Sequence, residues 1–221
     1  MFDLKEFINF RNFPCVMAKS VLKKGHLENY RIEDSSSEKE LLNYLYLFID
    51  HFRNEPHKLH SCIFEFPCFE ESTFERFESY FWNLLEDLSR LDKQKYRHDK
   101  RVSSSFTNSN YSYSLKEEAF FIVMLHPESP RLSRRYSYPA IVFNPHEQFE
   151  NLRKANKYQK IKNIIRKRDQ KVQGNINPML SDFGEVNELF QYTGRDYSIG
   201  EVKPPWIQDI REELIYGNYS A

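Results

Sequence analysis

A chain of 221 residues has room for one domain, or at most two small ones. Hydrophobic residues make up 40%, aromatic residues 16% and charged residues 29%, and 32 basic side chains balance 32 acidic ones for a formal net charge of zero. Disordered and collagen-like chains are excluded, because 19 Phe and 14 Tyr can anchor a core while Gly is 6 and Pro is 10; an integral membrane protein is excluded because the longest apolar run, Ala119–Leu125, cannot cross a bilayer.

The first amphipathic helix starts at Ser37, with Glu40 at capping-box spacing, and Leu41, Leu42, Leu45, Phe48, Ile49 and Phe52 form its apolar face to about Arg53. A strand follows over His60–Phe66, ended by Pro67. Ser72 and Glu75 open a second helix to about Leu91, buried through Phe77, Phe81, Leu84, Leu85 and Leu88. The stretch Asp92–Asn110 is basic and Ser-rich and reads as a long loop of the kind that often carries function. Strands at Tyr111–Leu115 and Ala119–Leu125 meet at a tight Lys116-Glu117-Glu118 turn, and the second, apolar on both faces, is expected inside the sheet. A basic connection, Arg131–Tyr138, leads to a strand at Ala140–Phe143. Asn144 then caps one long helix, with Pro145 at its first position, reaching about Gln173. After Gly174 the chain turns irregular. The order of elements predicts an α+β fold: one domain over 1–221, with an antiparallel or mixed sheet and helices packed against it.

Charge is uneven along this order. Residues 1–92 hold 17 acids and 11 bases, residues 93–172 hold 7 acids and 18 bases, and residues 173–221 hold 8 acids and 3 bases. The basic middle suits an anionic partner (nucleic acid, phosphate or the carboxylates of a cofactor), or else a solvated helix face. Cys15, Cys62 and Cys68 are too few and too scattered for a disulfide framework, and no CxxC pair suggests a zinc or dithiol site. The segment Met1–Glu6 carries acids early and lacks the apolar stretch of a secretion signal, so a cytoplasmic location is expected.

Nucleotide-binding, hydrolase and zinc-protease motifs are absent, so candidate chemistry rests on residue context. His57 and His60 lie in a polar turn without a carboxylate or thiolate companion, which favours solvated histidines over a metal site. His126 ends the most apolar strand just before Pro127, where it is either a rigidly held ligand or a structural histidine. His146 falls in the first turn of the long helix, where the dipole favours the neutral, metal-binding imidazole or a simple cap. Between Gln173 and Arg195, the groups Asn175, Asn177, Asp182, Glu185, Glu188, Gln191, Tyr192 and Arg195 form a polar stretch whose carboxylates suit a guanidinium or serve loop turns.

A set of short segments in consistent order carries a resemblance. They are Phe13-Pro14-Cys15-Val16 with Ala18-Lys19-Ser20; Ala119-Phe120-Phe121-Ile122-Val123; Leu125-His126-Pro127; and Ser133-Arg134-Arg135. They continue with Val142-Phe143-Asn144-Pro145-His146, Gln148-Phe149-Glu150 and Leu152-Arg153; Ile165-Arg166-Lys167-Arg168-Asp169; Gln173-Gly174; Asn177-Pro178-Met179-Leu180; and Gln191-Tyr192 before Gly194-Arg195. In these the chain resembles the YqcI/YcgG family over nearly its whole length. Characterised members of that family are haem proteins that N-hydroxylate guanidine groups of arginine or related compounds. Met17 and Met124 stand where the family usually has glycine, and the hairpin turn, often Gly-rich in relatives, is Lys116-Glu117-Glu118 here.

The resemblance implies haem b, with His126 as the iron ligand and His146, or Cys15 as thiolate, as rivals. It implies Lys19, Arg134, Arg135 and Arg168 as further cofactor-binding residues, the three arginines on the propionates, and Glu150, Asp182 and Glu185 as the grip on a guanidinium. Molecular oxygen and an external electron donor complete the expected reaction, since the chain carries no flavin or nicotinamide motif. A non-catalytic haem-binding sensor or carrier is the alternative. A nucleic-acid reader ranks behind both, because the basic helix lacks interleaved exposed aromatics.

Overall fold

The computed structural model describes residues 3–197 and 204–207. Five strands, β1 (Leu27–Arg31), β2 (Ser61–Glu65), β3 (Tyr113–Leu115), β4 (Glu118–Leu125) and β5 (Ala140–Pro145), form one sheet in the order β1-β2-β5-β4-β3. β1 and β2 run parallel, and every other neighbouring pair is antiparallel. Around the sheet lie α1 (Leu4–Asn9), α2 (Val16–Lys24), α3 (Glu38–Asn54), α4 (Phe74–Asp92), α5 (Glu147–Lys154), α6 (Tyr158–Gln173) and the single turn α7 (Leu189–Tyr192). The fold is the expected α+β, and the sheet is the mixed alternative.

Successive strand side chains point to opposite faces, and here both faces are covered. Cys62, Phe64, Phe120, Ile122, Met124, Ile141 and Phe143 join Leu45, Phe48, Phe77, Phe81 and Leu85 of α3 and α4 in the main core. The alternate positions Ile63, Leu125 and Ala140 meet Leu4 and Ile8 of α1 in a thinner layer on the other face. Full burial of such a side chain stabilises by roughly 1.5–3 kcal/mol, so the α3–α4 layer dominates the fold. β4, paired with both β5 and β3, is the interior strand its apolar run announces.

α3 starts as its spacing predicts, with the Ser37 hydroxyl accepting from the Glu40 N–H at 3.3 Å. The α4 cap shifts one residue, because Thr73 and not Ser72 accepts the N–H of Arg76. The hydroxyl of Ser72 instead lies 3.5 Å from the His126 ring. The expected long helix after Asn144 is two helices. Asn144 is extended in β5 and spends its side chain across the sheet, accepting from the Ser61 hydroxyl at 2.7 Å and donating to the Phe121 carbonyl at 3.2 Å. Pro145 pairs opposite Phe120, so the helix begins two residues later. α5 and α6 are separated at Asn156, whose φ of 55° turns the chain out of the right-handed helix. α1, α2 and β1 lie in the N-terminal part of the chain, where the sequence announces no element.

Candidate functional site

Two cavities lie side by side behind α6. The first, of about 240 Å³, separates the thin α1–α2 layer from the sheet and is floored by Ile63, Val123, Leu125 and Val142. Phe7, Phe13, Pro14 and Cys15 close it from above. The second, of about 160 Å³, lies between the sheet and α5–α6, walled by Phe121, Phe149, Tyr158, Phe183 and Glu188. Ile165 and Leu180 border both and form the partition between them. Each is smaller than the roughly 300–1,000 Å³ of a drug-sized ligand pocket. α6 is the wall able to yield, since Asp169 is its one buried residue.

Cys15 is the N-cap of α2 and borders the first cavity, its Sγ accepting from the Ala18 N–H at 3.4 Å. Burial pushes its thiol pKa up, against the pull of the Ala18 and Met17 amides. Behind it, burial and the nearby Arg168 guanidinium lower the pKa of Lys19, whose Nζ donates to the Phe10 carbonyl at 2.8 Å. Arg134 also borders this cavity, but its guanidinium is spent on the Gln191 and Tyr192 carbonyls, and burial lowers its pKa to about 10. Gly194 is required there. A Cβ at that position would sit 2.7 Å from Cδ of Arg134, and its φ of +78° suits glycine. Arg135 lies outside the cavity, with Nε donating to the Ser129 carbonyl at 2.8 Å. Arg131 and Asp169 form a buried ion pair on the same wall, and Arg131 also donates to the Asn175 side chain at 2.7 Å.

His126 is sealed away from both cavities. Its Nδ1 accepts the Glu128 N–H at 3.0 Å, its Nε2 lies 3.5 Å from the Ser72 hydroxyl, and its ring packs between Phe74 and Phe77. Burial lowers its pKa, so the neutral ring is the stable form. In this arrangement it faces α4 rather than an open site.

His146 caps α5 without a side-chain capping bond and borders the second cavity and an adjoining polar cleft of about 360 Å³. Its Nε2 lies 3.5 Å from Oε2 of Glu188, and the Phe183 ring stands edge-on at 4.4 Å. Glu188 is 2% exposed. Its Oε1 accepts from the Ser112 hydroxyl at 2.7 Å and the Tyr192 hydroxyl at 2.6 Å, which leaves Oε2 toward His146. A buried carboxylate with one oxygen so disposed among aromatic rings suits a cationic ligand.

The three carboxylates expected to grip a guanidinium do not converge. Glu150 pairs with Arg153 on the polar cleft. Asp182 pairs with Lys162; burial pushes that carboxyl up, but the Lys162 hydrogen bond and charge, with Arg166 and the Tyr158 hydroxyl, together hold it below its ordinary range. Glu185 accepts the Asp182 N–H at 3.0 Å and is exposed. Arg153 and Lys162, partners of the first two, wall the second cavity instead. Glu188 belongs to the same polar stretch of sequence, and its burial among Ser112, Tyr192 and His146 is the signal that separates it from its neighbours.

Met17 and Met124 part company. Met17 borders the second cavity, whereas Met124 is wholly buried in the main core. His57 is exposed, and His60 is buried and stacked on His26 with ring centroids 4.7 Å apart. Among the described residues no group of three or more His, Cys, Asp or Glu side chains could hold a bare metal ion. A porphyrin brings four nitrogens of its own and asks the protein for a single donor, which Cys15 can give at the first cavity and His146 at the second. The donor chemistry therefore fits haem.

Residues 4–206 match the model of the YqcI/YcgG family, and the chain belongs to that family. A segment of 127 residues, 55% of this chain, is 31% identical to the uncharacterized protein YqcI of Bacillus subtilis (strain 168), and the match spans about half, 49%, of that relative's length. No solved structure matches the chain. No helix among the described residues is long and apolar enough to cross a membrane.

Proposed function

We propose that this YqcI/YcgG family member is a haem-dependent N-hydroxylase of a small guanidine-bearing molecule. The observation that carries the reading is the buried Glu188 carboxylate, with Oε2 beside His146, on the wall of a cavity it shares with Phe121, Phe149 and Phe183. A guanidinium is planar and permanently charged; it pairs with carboxylate and stacks on aromatic faces. The adjoining apolar cavity supports the cofactor half of the reading. Cys15 is its one thiol or imidazole among the described residues, and Lys19 and Arg168 behind it suit propionates.

When bound, haem supplies oxygen activation, so that a guanidine N–H, O₂, two electrons and two protons become an N–OH and water. The chain's own groups bind and orient. Glu188 takes the guanidinium on Oε2 while Ser112 and Tyr192 fix Oε1, so the carboxylate does not rotate away. His146 Nε2, beside that oxygen, is placed to hold a proton next to the reacting end of the substrate. Phe149 and Phe183 flank His146 and exclude water. Loading the first cavity calls for α6 to swing outward and open the Ile165–Leu180 partition. One observation favours a haem carrier without hydroxylase activity: the Met17 thioether narrows the Glu188 cavity.

Titration with hemin tests the reading, followed by spectra of the oxidised, reduced and carbonyl-bound forms and assay of arginine and shorter guanidines with reductant and oxygen. The expected result is stoichiometric haem, a hydroxyguanidine product, and loss of the native iron spectrum in Cys15→Ser. Loss confined to His146→Ala or His126→Ala would move the ligand to that histidine. Full haem with no product would make the protein a carrier, and a preparation that stays colourless would overturn the proposal.

A further inference from the structure

A groove of about 180 Å³ runs beside the first cavity, bordered by Phe10, Leu132, Arg135 and Val172. Phe10 is 57% exposed and Leu132 41%, so two large apolar side chains stand in water at its edges. Arg135 stands on the groove wall, and two exposed bases are sequence neighbours of groove residues: Arg11 next to Phe10 and Lys171 next to Val172. Among the described residues neither Arg11 nor Lys171 has an acid within ion-pair distance, and Glu6 is the one acid on the groove wall. No acid among the described residues pairs with that charge. Phe7, Phe13, Pro14 and Ser133 border both the groove and the apolar cavity, so a single wall separates them.

We propose that this groove docks an acidic one-electron carrier protein of the iron–sulfur kind, with an apolar side chain of the donor seated between Phe10 and Leu132. The inference rests on the haem reading above. Each hydroxylation consumes two electrons and two protons with one O₂, so two reduced carriers must visit per turnover, giving an N–OH, a water and two oxidised carriers. The chain has no flavin or nicotinamide motif to supply them. A basic rim around an apolar seat gives both the steering and the anchor that a transient donor complex needs. The seat is concave, which suits a projecting side chain better than the plane of a bilayer.

The experiment compares two electron sources for hemin-loaded protein turning over a guanidine: a [2Fe–2S] ferredoxin with its reductase and NADPH, and dithionite fed slowly under excess oxygen so that the O₂ the reaction needs is not exhausted. The ferredoxin-driven rate is expected to fall steeply between about 0.05 and about 0.3 M NaCl, and by about tenfold in the Arg11→Glu/Lys171→Glu double variant. Phe10→Ser should lower it independently of salt. The dithionite-driven rate should be unchanged in all three cases, with circular dichroism confirming the fold. Equal ferredoxin-driven rates in variant and parent, or no turnover with ferredoxin where dithionite succeeds, would overturn the docking proposal and leave the hydroxylase intact. No product with dithionite in the parent protein would bring down the hydroxylase reading and this proposal with it. Salt-sensitive binding to phosphatidylserine vesicles, combined with charge-insensitive ferredoxin rates, would reassign the face to a membrane surface.

Discussion

Glu188 shows how one side chain acquires a role from its surroundings. Its two hydroxyl donors and its imidazole neighbour come from the residue before β3, from α7 and from the start of α5, which are 76, four and 42 residues away along the chain. Glu188→Gln keeps the shape and removes the charge, so guanidine binding should weaken by about 2 kcal/mol or more, seen by calorimetry on haem-loaded protein of unchanged circular dichroism. Undiminished affinity would assign the guanidinium elsewhere. Lys116 and Glu117 are a second case. Both have left-handed backbone, with φ of 50° and 59°, at the centre of the β3–β4 turn, where glycine or asparagine is the usual choice. Lys116 is held by its N–H to Asp92 at 2.9 Å, its Nζ to Asp50 at 2.7 Å and its carbonyl to Arg53 at 2.6 Å. Glu117 is exposed and has no such anchors among the described hydrogen bonds. Glu117→Gly should therefore stabilise by about 1 kcal/mol in denaturant melts, whereas Lys116→Gly should not.

At the level of elements, legibility followed local pattern. α3, α4, β4 and β5 carry strong caps, full apolar stripes or continuous apolar runs, and the sequence places each within a few residues. α1 has six residues, α2 is capped by a cysteine, and β1 alternates between half-buried and exposed positions, so no periodicity announces them. The Asn144–Pro145 pair imitates a helix start because the cross-sheet bonds that hold Asn144 extended are invisible in one dimension. The long loop before β3 proved to be a strap: Arg101 bridges Asp99, Glu118 and Glu147, and Asn187 donates to the Phe106 and Asn108 carbonyls at 2.7 and 3.1 Å. α6 is the opposite case, a long helix over two cavities. Its amide protons should exchange faster than those of α3 and α4 and slow when hemin is added; protection equal to α4 in the free protein would remove it as the yielding wall.

For the molecule as a whole, folding takes three imidazoles at least partly out of water. Burial pushes His60, His98 and His126 below the ordinary histidine range, and His26 adds to the effect at His60. Nε2 of His60 and Nε2 of His98 are buried without a hydrogen-bond partner among the described residues. A depressed folded pKa means that the unfolded chain takes up more protons near pH 6.5, so this stability is complete above that value and drains away as pH falls below it. Asp92 and Glu118, raised by burial, run the other way at lower pH. The melting temperature should therefore drop between about pH 7.5 and about pH 5.5, and His60→Leu should shrink the drop; a flat profile would contradict the sealed rings. The same scale explains what the sequence could not give about the site. Cys15 and Glu188 line two cavities that share Ile165 and Leu180 among the described residues, a juxtaposition created by the stacking of layers rather than by any motif.

The two rims of the sheet have a practical corollary. One is β1, studded with Glu28 and Arg31, and the other is β3, three residues long. A neighbouring copy offering a strand would bring its own charges against the first and find almost no ladder on the second. Concentrated stocks of this protein should therefore stay free of fibrils, and any assembly it forms should be built through helices and loops.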